Sequence, residues 1–219
     1  MEEYRKMYLF MYKHLIRNLE KLLETQKKIN DIYAGIKKNQ ESEREKLIPI
    51  QIYEDFRALS LFYIGYLNNI IGDTEKNAVS YHLLISKKMI KKYELNLTEK
   101  KECDRILLND FVTNRDWSLH FNRKQFKGFI ETQNSEFLNN EVDIFHSEYI
   151  DIAMLESLID SNQNTINKVI AIKKNIEEDF KSIFKSKIKL KYNTVPYVGT
   201  ESLDVARVSS DIQWKKRGF

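Results

Sequence analysis

Between Pro49 and Pro196 the chain contains no proline, and it has six glycines in 219 residues. A proline in a helix interior costs about 3 kcal/mol and a glycine about 1 kcal/mol relative to alanine, so a chain this poor in both is suited to long helices. Apolar spacing agrees. Leu15, Leu19, Leu22 and Leu23, then Ile29, Ile32, Tyr33 and Ile36, recur at helical intervals and predict a first helix over residues 2–36. The charged break "KKNQESEREK" follows. A second helix is expected over 47–71, with Pro49 in its first turn and Gly72 ending it. A third starts after Asp73-Thr74, which suit an N-cap, and fades near Tyr93. Thr98 would cap a fourth, with Cys103, Ile106, Leu107 and Phe111 on one stripe.

The polar segment "ETQNSEFLNNE" separates these four helices from a further helical region over 147–184, with "DSNQN" as a candidate interruption. In "KSKIKLKY", residues 185–192, lysines alternate with Ser186, Ile188 and Leu190, a period of two that predicts a short strand or an extended segment. The expected fold class is all-α: an antiparallel bundle of long helices over 1–135, a C-terminal helical extension over 136–192 packing on it, and a short irregular or β tail over 193–219.

Composition narrows the function classes. An apolar fraction of 42%, with 12 Phe and 12 Tyr, is enough for a sizeable core. A net charge of +4 is far from the strongly basic balance that announces nucleic-acid binding by composition, so any phosphate contact must come from local patches. Cys103 is the single cysteine, which excludes an internal disulfide and a cysteine-based zinc cluster and suits a reducing cytoplasm. The opening "MEEYRKMYLF" begins with two acids and does not read as a signal peptide. The longest uncharged stretch, "ALSLFYIGYLNNIIG", is too short and polar to span a bilayer. A cytoplasmic protein with no membrane partner is expected.

No phosphate-cradling glycine loop, H-E-x-x-H pair or G-x-S-x-G elbow occurs in the sequence. No cofactor and no metal are expected. His14, His82 and His146 lie in amphipathic helical sequence and read as surface or hydrogen-bonded core histidines.

His120 is different. In "TNRDWSLHFNRKQF" an arginine precedes it by five positions: Arg115-Asp116-Trp117-Ser118-Leu119-His120. Cleavage of RNA through its own 2′-hydroxyl needs a base for that proton, an acid for the leaving 5′-oxygen, and positive charge on the phosphorane-like transition state. Histidine titrates near neutrality and can serve as base or acid. Arginine stays charged, and its planar fork fits phosphate oxygens.

The stretch resembles the signature of the HEPN superfamily, small all-α proteins of which many are ribonucleases. Their motif is an arginine, a polar residue, a few mostly apolar residues and a histidine, near the end of a long helix. The resemblance covers about residues 1–130 as an architecture and six residues as a motif. It implies a metal-independent endoribonuclease with Arg115, His120 and Asp116 as catalytic residues. It further implies RNA as substrate, a homodimer with a composite site, and a role as toxin or abortive-infection effector held by a cognate inhibitor protein. Positions five apart on a helix lie about 140° apart around its axis, so two protomers pooling their arginines and histidines would ease the geometry. Some HEPN toxins carry a modifiable tyrosine two residues after the histidine; here that position is Asn122, so regulation by that route is not expected.

Around the pair, Asn114, Asn122, Arg123, Lys124 and Lys127 are candidates to hold the RNA backbone. Asn114 and Asn122 equally suit a chain reversal, and the basic segment equally suits a solvated amphipathic face. Trp117 reads as core or interface packing in preference to a base platform. Lys185, Lys187, Lys189 and Lys191 are another candidate phosphate contact, and read first as edge charges that discourage aggregation. The competing reading of the whole chain is a non-catalytic helical scaffold or interaction protein in which Arg115 and His120 are structural.

Overall fold

The computed structural model describes residues 1–39, 47–76, 78–97, 102–118 and 148–192; the side chains of 39 and 115–118 fall outside that set. Its elements are α1 (Glu2–Asn39), β1 (Leu47–Pro49), α2 (Ile50–Gly72), α3 (Tyr81–Leu84), α4 (Lys87–Tyr93), α5 (Glu102–Ser118), β2 (Tyr149–Asp151) and α6 (Ile152–Phe184). The all-α reading holds, with one two-stranded sheet among the described residues. No described helix is long and apolar enough to cross a membrane.

Hydrogen bonds between distant residues give the helix directions. Tyr8 donates its hydroxyl to the Ile176 carbonyl at 2.9 Å and Gln26 donates Nε2 to that of Ile159 at 3.0 Å, so α1 and α6 run antiparallel. Asn175 donates to Asp104 at 2.9 Å and Lys168 to Asp110 at 2.8 Å, so α5 and α6 are antiparallel too. Asn162 on α6 donates to Ser60 on α2 at 2.8 Å. The four long helices therefore form an up-down-up-down bundle. Residue 188 divides the chain: Met1–Ile188 form one compact unit, and of the second, Lys189–Phe219, residues 189–192 are described and carry no regular secondary structure.

The main core is built around a ladder on α1. Tyr4, Tyr8, Met11, Tyr12, Leu15 and Leu19 recur at helical spacing and meet Ile172, Ile176 and Phe180 of α6. Burying each such side chain stabilises the fold by about 1.5–3 kcal/mol. The tyrosines also need partners for their hydroxyls, and each has one. Tyr4 donates to the Leu84 carbonyl at 3.0 Å, Tyr12 to the Glu177 carboxylate, and Tyr81 to the buried Asp179 at 2.6 Å. A smaller core of Ile29, Ile48, Ile152 and Leu155 closes the opposite end of the bundle.

Several elements differ from the sequence expectation. Leu47–Pro49 are a strand, and Pro49 stands at the N-cap of α2, one position before the helix. Ile48 is buried and pairs antiparallel with Ile150, which ties the start of α2 to the start of α6. The expected third helix is two short ones. Ser80 accepts the amide of Leu83 at 3.2 Å and Ser86 that of Met89 at 3.4 Å, so each serine starts a new helix. The "DSNQN" segment does not interrupt α6, because Ser60 takes up Asn162 inside the bundle. Residues 187–192 form no strand; α6 ends at Phe184 and is capped by Lys185, whose left-handed backbone (φ 52°) returns its amide to the Lys181 carbonyl.

Candidate functional site

The last turns of α5 lie where α2 and α6 come together, and Gly72 sets that approach. A Cβ at Gly72 would stand 2.6 Å from the carbonyl carbon of Phe111 and 2.7 Å from the amide nitrogen of Val112. Gly72 ends α2, as expected from sequence, with Asp73 following in extended conformation, and it also lets two helix backbones touch. Asp73 then accepts the Glu75 amide at 2.8 Å and turns the chain away.

Beyond this contact a cleft of about 370 Å³ opens between the three helices. Phe111 and Ile64 form its apolar floor, and Asn68, Asn114, Asn164 and Lys168 give it polar walls. Asn68 is almost fully buried, whereas Asn114 is exposed at the rim. Lys168 reaches across from α6 to Asp110, one turn before Asn114 on α5. The pair is partly exposed, so its contribution to stability is under about 1 kcal/mol. The chemistry it offers is a lysine already paired with a carboxylate, held in position beside amide groups.

Of the residues singled out in the sequence, Asn114 lines this cleft. Arg115 and Asp116 follow it in the same turn of α5 as backbone positions, with position 115 one turn past Phe111; their side chains lie outside the described residues. His120, Asn122, Arg123, Lys124 and Lys127 also lie outside the described residues, as do His146 and the phenylalanines of that segment. No group of three or more His, Cys, Asp or Glu among the described residues is arranged to hold a metal ion. Cys103 is exposed and free.

The remaining histidines have distinct settings. His14 is half-buried against the Phe10 ring (4.5 Å between centroids), and its pKa is pushed down by burial and by the neighbouring Lys13 and Arg17. His82 is half-buried, its Nδ1 is buried without a partner among the described residues, and burial pushes its pKa down.

Lys168, Asn68 and Asn164 were not identified from sequence. Asn68-Asn69 inside the uncharged stretch 58–72 was a visible signal, because a buried amide demands hydrogen-bond partners. Asp179 was equally legible, as a carboxylate on the stripe of Ile172, Ile176 and Phe180. It holds Tyr81, and burial, reinforced by that carboxylate, pushes the phenols of Tyr4, Tyr8 and Tyr81 above their usual range. No family model matches the chain, and comparison with curated proteins and with solved structures returned no match.

Proposed function

We propose that the chain is a metal-independent endoribonuclease of HEPN type. The observation that supports it most directly is the position of Asn114: the residue immediately before Arg115 lines a polar cleft that already carries the Lys168 cation. Arg115 binds a non-bridging oxygen of the scissile phosphate and stabilises the charge that accumulates there. His120 takes the proton of the 2′-hydroxyl or returns one to the leaving oxygen, and Asp116 orients it. The 2′-oxygen forms its bond to phosphorus as the bond to the 5′-oxygen breaks. The products are a 2′,3′-cyclic phosphate and a 5′-hydroxyl.

One histidine serves one proton transfer at a time, so a second copy of the chain supplies the other across a twofold axis. In this reading the homodimer contact runs along α5. Asn122, Arg123, Lys124 and Lys127 hold the flanking RNA backbone. The biological role carried by the resemblance is that of a toxin or antiviral abortive-infection effector kept in check by a cognate inhibitor protein.

Incubation of the purified chain with total RNA in EDTA tests the proposal. Cleavage leaving cyclic-phosphate ends is expected, with Arg115→Ala and His120→Ala inactive and unchanged in Tm. A parent chain that never cuts RNA, with both variants lowering Tm, makes the pair structural and the chain a non-catalytic helical protein.

A further inference from the structure

A second groove, of about 350 Å³, lies between α1 and α2, on helices that do not carry the Arg115 motif. One wall presents His14, Arg17 and Lys21 and the other Phe62, Tyr63 and Tyr66, with no carboxylate among its lining residues. The spacing of the cations follows from the helix: positions 14, 17 and 21 share one face of α1 at i, i+3 and i+7. The absence of acids on the other wall follows from the sequence, because α2 has no Asp or Glu from Phe56 to Gly72. Lys21 has one counter-charge, Glu24 at 2.8 Å, and Arg17 makes no ion pair among the described residues. Burial, and after it the neighbouring Lys13 and Arg17, pushes the His14 pKa down.

The aromatic side chains here are out of place for core residues. Phe62 is 55% exposed and Tyr66 49% exposed, although α2 has a separate buried face through Leu67 and Ile71. Their rings stand 4.8 Å apart, and Phe62 also meets Tyr63 edge-on at 5.3 Å. Across the groove, Phe10 is 57% exposed and packs on His14. Large rings held open to solvent beside Arg17, which makes no ion pair among the described residues, and Lys21, whose one counter-charge is the exposed Glu24, match the two demands of a single-stranded nucleic acid, π-faces for bases and positive charge for the backbone. A twofold self-association through the same groove would bring its arginines and lysines towards like charges.

We infer that the α1–α2 groove binds single-stranded nucleic acid, with bases stacked on Phe62 and Tyr66 and phosphates held by Arg17 and Lys21. The groove is distinct from the α5 cleft, and its binding does not require the 2′-hydroxyl on which the nuclease reading depends.

The test is fluorescence anisotropy of the full chain with short labelled oligo(dT) and oligo(U), both in EDTA. Oligo(dT) has no 2′-hydroxyl and cannot be cut by that route, so binding is read apart from cleavage. Both probes should bind at low salt. Phe62→Ala and Tyr66→Ala should each weaken binding roughly tenfold, while Tyr66→Phe, which keeps the ring, binds like the parent. Arg17→Gln should reduce the salt dependence by about 0.7 in the log–log slope, the signature of one lost phosphate contact. The inference is overturned if neither probe binds, or if both bind unchanged in the Phe62, Tyr66 and Arg17 variants. It is equally overturned if sedimentation shows a dimer that Phe62→Ala dissociates, since the face is then an interface between copies.

Discussion

Gly72 and Phe111 meet backbone to backbone. The α-carbon of Gly72 sits so close to the Phe111 carbonyl that a methyl group would stand 2.6 Å from its carbon. The neighbouring atoms are main chain and cannot rotate aside, so any side chain at 72 has to separate α2 from α5. Gly72→Ala should therefore cost about 1–3 kcal/mol. Gly35 lies in α1 with nothing within 4 Å of its virtual Cβ, and the same change there should stabilise by about 0.4–1 kcal/mol. Urea titration of the two variants checks both signs.

The Tyr81–Asp179 hydrogen bond, 2.6 Å long and fully buried, links the start of α3 to α6. Tyr81→Phe keeps the ring and removes the donor to a carboxyl group that has little access to water. A loss of about 1–3 kcal/mol is expected from denaturant midpoints. Replacing both residues, as Tyr81→Phe with Asp179→Leu, should cost less than the sum of the two single changes.

Alkaline stability follows from the tyrosine ladder. Tyr4, Tyr8 and Tyr81 are pushed above their ordinary value of 10.0 by burial, so the folded chain keeps protons that the unfolded chain releases. Their contribution is complete below pH 10 and is lost as pH rises above it. Each contributes a slope of about 1.4 kcal/mol per pH unit in that window. Tyr81→Phe should make the decline shallower by one such increment, measured as unfolding free energy from pH 9 upward.

On the acid side the sign reverses. Burial holds His82 below its ordinary 6.5, so below that pH the unfolded chain takes up a proton that the folded chain resists. Stability present above pH 6.5 falls as pH drops, and His82→Gln should reduce the fall in Tm between pH 7 and 5. His14, shifted in the same direction, accounts for part of the slope that remains.

Under the nuclease proposal, residues of the α5 cleft divide by kinetic effect. Lys168→Ala should raise KM for RNA about five- to tenfold with kcat little changed, the loss of one charge-assisted contact in ground and transition states alike. Arg115→Ala should lower kcat. Single-turnover cleavage of a defined oligoribonucleotide separates the two.

Helix content was legible because its information is local. The i, i+4, i+7, i+14 spacing of Leu15, Leu19, Leu22 and Ile29 specifies an apolar stripe whatever that stripe packs against. The serine caps at 80 and 86 were equally local, and were hidden because apolar periodicity runs on across them. The Arg115 stretch was visible as a pattern, and Asn114 is the one candidate in that stretch whose side chain the structure describes.

What periodicity does not contain is the identity of the partners. Ile48 becomes a strand residue because Ile150, a hundred positions later, pairs with it. Gly72 is needed because Phe111 arrives against it, and Asn162 stays helical because Ser60 receives its amide. Each of these depends on contacts between segments that loop closure brings together, with energies set by the pair and not by either residue's own propensity. The grooves share that origin. Phe62 and Arg17 are ordinary surface residues on two separate helices until antiparallel packing of α1 and α2 makes them opposite walls of one cleft.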